Sequence, residues 1–206
     1  MIIDDILMYR TPVGFDEIFN REAIKTWETH GYTLTYADVL TRLDLDDYEY
    51  LEFGQYFGNR DFTDDEKAWF YTHAEFWKET AESDHPRMFV CPNIAVIAKQ
   101  IEMDDHVNVQ SFTGFLDEKD FEIFMGEGML DSHPFWNSES KCAPSGLAYG
   151  LTPKGAKQLL RAVMAKPIDL MPDELIFLQS GREEADVIGY CTPVIFRDDL
   201  DEEDAA

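Results

Sequence analysis

Three groups of side chains in this 206-residue sequence have types and spacings that suit chemistry. His73 recurs with Trp69, Phe76, Trp77 and Thr80 at helical spacing, so it is either a histidine built into a core or an imidazole placed for proton transfer. Asp169 and Asp173 flank the turn Leu170-Met171-Pro172, where a carboxylate can cap a helix or act as a general base. Lys154, Lys157 and Arg161 share one helix face at i, i+3 and i+7, which is either a solvated face or a patch turned to an anion.

The common catalytic motifs are missing. The sequence has no G-x-x-x-x-G-K-[ST], no G-x-G-x-x-G and no G-x-S-x-G. It also lacks H-E-x-x-H and H-x-E…C-x-x-C, which removes the usual zinc hydrolases and deaminases. Asp65-Glu66-Lys67 could end a nuclease carboxylate–lysine motif, but acids at a helix start have an ordinary capping role.

Charge narrows the partners. Lys and Arg number 17 against 42 Asp and Glu, a net charge of −25. Phosphate polymers and anionic membranes are repelled by such a surface, so direct nucleic-acid binding is not expected, while a basic protein partner would be attracted. The charge is uneven: between Lys141 and Ile168 there is no acid, and Lys141, Lys154, Lys157, Arg161 and Lys166 all fall there. The end, Asp198-Asp199-Leu200-Asp201-Glu202-Glu203-Asp204, reads as a mobile acidic tail. No apolar run reaches membrane-spanning length, and Asp4 and Asp5 stand where a signal peptide would be basic. Cys91, Cys142 and Cys191 are odd in number and contain no C-x-x-C, which suggests reduced thiols in the cytoplasm of a bacterium or a virus-infected cell.

The elements that must carry these residues alternate. Ile2–Met8 is a β-forming run. Phe15–His30 is helical, with Phe15, Ile18, Phe19, Ala23 and Trp27 on one face and Gly31 at its C′ position. Thr33–Ala37 alternates as a strand, whereas Leu43–Asn59 is irregular. Thr63-Asp64-Asp65-Glu66 has capping-box spacing and opens a helix to about Ala81. Met88–Val90, Ile94–Ala98 and Val107–Phe112 read as strands, with Pro92 between the first two. Leu147–Leu151 is another, followed by a helix from Thr152-Pro153 to Lys166, then a short helix or turn at Pro172 and a last strand within Val187–Phe196. Strands alternating with helices predict an α/β fold with a mostly parallel sheet. With no repeat or linker in sight, residues 1–196 are expected to form one domain and 197–206 the tail.

Two blocks of this sequence resemble a known family. In the first, Glu66, His73 and Trp77, followed by Pro86-Arg87-Met88-Phe89-Val90, are similar to G-E-x-G-C-x-x-S-H-x-x-x-W and the strand after it in glycosyltransferase family 25, the lipopolysaccharide galactosyltransferase-like family. In the second, Ser145 to Leu160 resembles that family's G-x-x-A-Y-x-[IL]-[ST]-x-x-G-A-x-x-L-L, with Pro167, Asp169 and Asp173 fitting the downstream P-x-D-x-x-x-D. The basic stretch that follows the family's first strand is reduced here to Tyr9-Arg10.

The resemblance implies a GT-A-like, Rossmann-related fold with a mixed, mostly parallel sheet flanked by helices. It implies a hexosyltransferase that moves sugar from a nucleotide-diphospho-sugar donor, such as a UDP-sugar, to a hydroxyl acceptor. Asp173, Asp169 and His73 are then the candidate catalytic residues, with Asp173 the general base. Lys154, Lys157, Arg161 and Asn93 are the candidate donor-binding residues. The family's L-E-D-D cluster holds a divalent metal, usually Mn2+, against the leaving diphosphate. Cys91-Pro92-Asn93 stands where E-D-D is expected, so the sequence names no metal ligands. The alternative is a fold that has lost its catalysis and serves as an acidic binding or inhibitor protein, in the extreme a nucleic-acid mimic, against a basic partner.

Overall fold

In the computed structural model the described residues are 1–10, 17–45, 57–58, 60–91, 96, 100–103, 105, 108–112, 114–115, 133–134, 143–144, 148–165, 167–172, 175–176 and 190–191. The elements in chain order are β1 (Asp5–Arg10), α1 (Glu17–Thr29), β2 (Leu34–Asp38), α2 (Asp64–Glu82), β3 (Arg87–Val90), β4 (Val109–Ser111), β5 (Gly114–Phe115), β6 (His133–Pro134), β7 (Ala143–Pro144), β8 (Ala148–Leu151), α3 (Pro153–Ala165) and β9 (Tyr190–Cys191). The main sheet has the order β2-β1-β3-β8-β4-β9-β6, and β5 pairs with β7 apart from it. Strand β1 runs parallel to both β2 and β3, β8 runs against β3 and β4, β9 follows β4, and β6 opposes β9. All strands of this sheet except β8 and β6 therefore point one way. The fold is α/β, with a mixed, mostly parallel sheet and flanking helices.

Local sequence explains where the elements begin and end. Helix α1 stops where Gly31 takes a φ of 85°, a conformation that glycine adopts without strain. The Gly31 N–H then bonds the Glu28 carbonyl and the Tyr32 N–H the Trp27 carbonyl, which caps the free end. Helix α2 opens with the expected capping box: the Thr63 side chain accepts from the Glu66 N–H, and the Glu66 carboxylate accepts from the Thr63 N–H. The Thr63 N–H and the Thr63 hydroxyl, both donating to the carboxylate, hold the Glu66 carboxyl below its ordinary pKa. In front of α3, Thr152 accepts from the Gly155 N–H at 3.0 Å and is itself anchored to Asn108, as its backbone N–H donates to the Asn108 carbonyl.

The opening strand differs from the expected Ile2–Met8. The β-forming run divides between two partners, so the strand that joins the sheet starts only at Asp5. Ahead of it, Ile2 bridges Glu102 in antiparallel fashion, and the Ile3 N–H bonds the Ile101 carbonyl. Of the expected strand Ile94–Ala98 only Val96 is described, and its N–H bonds the Thr26 hydroxyl at 2.9 Å. Most of Leu43–Asn59 and of Val187–Phe196 lies outside the described residues, as does the tail. Among the described residues no helix is long and apolar enough to cross a membrane.

Both faces of the central strands are covered. Ile6, Leu7, Met8 and Tyr9 on β1 and Met88, Phe89 and Val90 on β3 are all buried, as expected for strands with parallel neighbours. Register puts Leu7, Phe89 and Tyr149 on one face, and there the aromatic rings of α2 meet them. On the other face Gly150 leaves room for Ile3, Phe112 and Met103. Helix α3 packs against α2 and buries Gly155, Ala156, Leu159 and Val163.

Gly155 sits so close to the chain before β4 that an added Cβ would meet the Asn108 carbonyl oxygen at 2.5 Å, a backbone atom with little freedom to yield. Gly155→Ala is therefore expected to destabilise the protein by about 1–3 kcal/mol, despite alanine's better helix propensity. Urea unfolding at neutral pH measures it, and an unchanged or raised midpoint would contradict this packing.

Candidate functional site

The strand directions decide where a ligand can enter. Strands β2, β1 and β3 end at one edge of the sheet, here the carboxyl edge, and β1 lies between the two strands that follow it in the chain, β2 and β3. The crossover from β1 to β2 and the one from β2 back past β1 to β3 run in opposite directions, so right-handed connections put them over opposite faces. Sheets of this kind take ligands at such a switch point, here in the crevice beyond the carboxyl ends of β1 and β3. Arg10 ends β1 at this edge, and Cys91 follows directly on β3.

Arg10 is held in place by two neighbours on β2. Its Nη2 lies 3.1 Å from Asp38 Oδ1, and its guanidinium sits 5.4 Å from the centre of the Tyr36 ring. Such exposed contacts contribute little to stability. They do fix the direction of a cation at the rim of the crevice. Tyr9 beside it points into the core, stacked on Phe89 at 4.4 Å, and burial raises its phenol pKa, with Glu79 adding to the effect. Asp38 was not among the expected site residues. The available signal was a lone acid at the end of an alternating strand, which a turn explains equally well.

Cys91, where the resemblance places the first acid of a metal cluster, is buried, with 5% of its surface exposed. Pro92 and Asn93 lie outside the described residues. A buried thiol followed by an imino acid and an amide does not supply the hard, charged oxygens that Mg2+ or Mn2+ prefers. Among the described residues no three His, Cys, Asp or Glu side chains converge as ion ligands. The segment Cys91-Pro92-Asn93 does not fit the implied metal.

Of the two readings open for His73, the structure supports the core one. The ring has no exposed surface and lies between Phe89, stacked at 4.2 Å, and Trp69, edge-on at 4.6 Å. Its Nδ1 is 2.8 Å from the Tyr149 hydroxyl, which also accepts the Trp77 indole N–H at 2.9 Å. An indole can only donate, so the Tyr149 proton remains available to the Nδ1 of a neutral imidazole. Nε2 makes no hydrogen bond, and burial pushes the pKa down to about 3. A proton on this ring would be a buried charge, which the site resists.

The other expected residues divide between the two ends of α3. Asp169 is exposed at the carboxyl-edge end, where its Oδ1 lies 3.4 Å from the Arg60 N–H and its carboxylate fills the space a Cβ on Gly58 would need. Phe57 bridges Ile168 there, with the Gly58 N–H on the Ile168 carbonyl at 2.8 Å, so the chain before α2 is fastened to the chain after α3. Asp173 lies outside the described residues; Leu175, just beyond it, bonds its N–H to the Met171 carbonyl in a helical turn. Lys154 begins α3 at the opposite end, because β8 runs against β3 and leaves the sheet beside Arg87. Lys157 and Arg161 continue the same exposed side. The structure thus brings Arg10 and Cys91 to one edge of the sheet, with Asp169 towards that edge, and sets the α3 cations along a flank.

No family model matches the chain, and no curated protein does. Among solved structures it is similar to mouse xyloside xylosyltransferase 1 in the apo form, at 8% identity and a TM-score of 0.42, over 89% of this chain and 83% of that one. It is also similar to 4-diphosphocytidyl-2C-methyl-D-erythritol synthase from Anaerococcus prevotii, at 11% identity and a TM-score of 0.44, over 98% and 92% of the two chains. Both scores lie below 0.5, so the functional reading stands on the sequence blocks and on how the sheet joins them.

The buried imidazole has a pH consequence. The unfolded chain takes up a proton near 6.5 and the native His73 only near 3, so native stability is full above 6.5 and is lost as pH falls through that window. Between pH 7.5 and pH 5 this amounts to about 2 kcal/mol. His73→Leu should lose less stability than the parent over that interval by about this amount, measured by urea unfolding at both pH values. Equal losses in the two proteins would contradict a neutral, buried ring.

Proposed function

We propose that residues 1–196 form one glycosyltransferase-like domain of GT-A type, which binds a nucleotide-diphospho-sugar such as a UDP-sugar beyond the carboxyl ends of β1 and β3. One observation carries the reading. His73 and Trp77 from the first block and Tyr149 from the second are matched letters of the resemblance that lie more than 70 positions apart, and they meet at a single hydroxyl. Both blocks therefore contribute to one polar junction inside the core, which supports the reading.

In this reading Arg10 and Asn93 face the donor, and Asp173 is the general base. Asp173 takes the acceptor's hydroxyl proton as that oxygen bonds the sugar's anomeric carbon and the bond to the diphosphate breaks. Asp169 positions the neighbouring chain through its contact with the Gly58–Arg60 backbone. His73 belongs to the frame. The charge that develops on the leaving diphosphate falls to cationic side chains and backbone N–H groups, since Cys91 takes the place of the first acidic oxygen.

The same replacement favours a second reading, in which the scaffold has lost its chemistry and binds a basic protein through its acidic surface. A thermal-shift series separates the two. Nucleoside diphosphates and nucleotide sugars, with and without Mn2+, should raise the melting temperature of the parent, by about 2.7 kcal/mol of stabilisation at a hundredfold excess over Kd. Arg10→Glu should abolish the rise. No rise with any nucleotide sugar would overturn the donor site, and a rise without release of nucleoside diphosphate to any acceptor would overturn transfer alone.

A further inference from the structure

Helix α3 has two unlike sides. Gly155, Ala156, Leu159 and Val163 are buried, while Lys154, Lys157, Arg161 and Met164 lie exposed along the other side at i, i+3, i+7 and i+10. A basic stripe is out of keeping with a chain of net charge −25. An external polyanion would have to approach through the field of the whole molecule, which repels it. An acidic segment tethered to the same chain escapes that penalty, because the tether keeps it at an effective concentration on the order of millimolar.

The sequence holds such a segment. Asp198-Asp199-Leu200-Asp201-Glu202-Glu203-Asp204 lies beyond the described residues and carries acids on both sides of a single leucine. It is close enough to reach. The last described residue, Cys191, pairs with Ser111 on β4, and β4 neighbours β8, the strand that leads into α3. Neighbouring strands are about 4.8 Å apart, and the seven residues from Cys191 to Asp198 can span up to about 25 Å.

We propose that the acidic tail docks in cis along the exposed side of α3, with its carboxylates on Lys157 and Arg161 and Leu200 against Met164. The stripe is then an intramolecular docking face, separate from the crevice at the ends of β1 and β3, and the proposal stands whether or not that crevice binds a nucleotide. The tail supplies the acids that the Lys141–Ile168 stretch lacks.

Nuclear magnetic resonance on the full chain tests this. The parent is compared with a full-length variant whose six tail acids are changed to the corresponding amides, and with Lys157→Glu combined with Arg161→Glu. Between the parent and the tail variant, backbone amide shifts should change at residues 157–164. In the parent, the tail amides should be more restrained than in either variant. Salt at 1 M, where the screening length is about 3 Å, should erase these differences, and tenfold dilution should leave them intact. The tail variant leaves α3 untouched, so it decides the matter even if the helix variant fails to fold. Tail amides equally mobile in all three proteins would overturn the proposal, and shifts that fade on dilution would assign the stripe to the tail of a second copy instead.

Discussion

The hydroxyl of Tyr149 is the point on which the described structure turns. It sits on β8, the strand that reverses direction inside an otherwise parallel run, and it joins two side chains of α2. A reversed strand alone has no reason to insert between β3 and β4. Here it carries a phenol whose oxygen meets two polar edges of a deeply aromatic helix face. If that oxygen were absent, Trp77 Nε1 and His73 Nδ1 would be buried without partners, each at about 1–3 kcal/mol. The bonds therefore select the register Phe89↔Tyr149, because a slip by one residue would turn the hydroxyl to the other face of the sheet.

From that register the rest follows by geometry. Val90 lies beside Ala148, so the end of β3 and the start of β8 share the carboxyl edge, and Leu151 is left at the far edge beside Arg87. Helix α3 must then start far from the crevice and return towards it, which separates Lys154 from Asp169. The amino edge is held independently: Arg87 reaches Asp5 at 2.7 Å and Glu79 at 3.0 Å, tying β3 to β1 and to α2. The Arg87 ion pairs thus hold the amino edge, opposite the carboxyl edge at which the proposed donor site lies.

The sequence was most legible where local physics acts alone. Thr63 with Glu66, Thr152 with Pro153, and Gly31 each mark a helix end through bonds made within a few residues, and all three behave as their types require. The helical stripe of Trp69, His73, Phe76 and Trp77 was legible as a buried face, but the stripe could not say what His73 bonds, since Tyr149 arrives from 76 residues away. The start of β1 was misplaced for a related reason. Ile2 and Ile3 have the propensity of a strand and pair with 101–103, a choice made by tertiary contact. The division of the site residues between the two ends of α3 depends on β8 running antiparallel, which no local pattern encodes. His73, Trp77 and Tyr149, which carry the resemblance, are frame residues, whereas Cys91-Pro92-Asn93 departs from the letters to which the resemblance assigns metal chemistry.

The central claim is that the two sequence blocks form one unit through the Tyr149 hydroxyl. A double-mutant cycle between Trp77→Phe and Tyr149→Phe, read by urea unfolding, tests it most directly. The expected coupling is about 1–2 kcal/mol, with the two single losses failing to add. Losses that add to within about 0.3 kcal/mol would mean that the two side chains do not share the bond, and the scaffold reading built on it would fall.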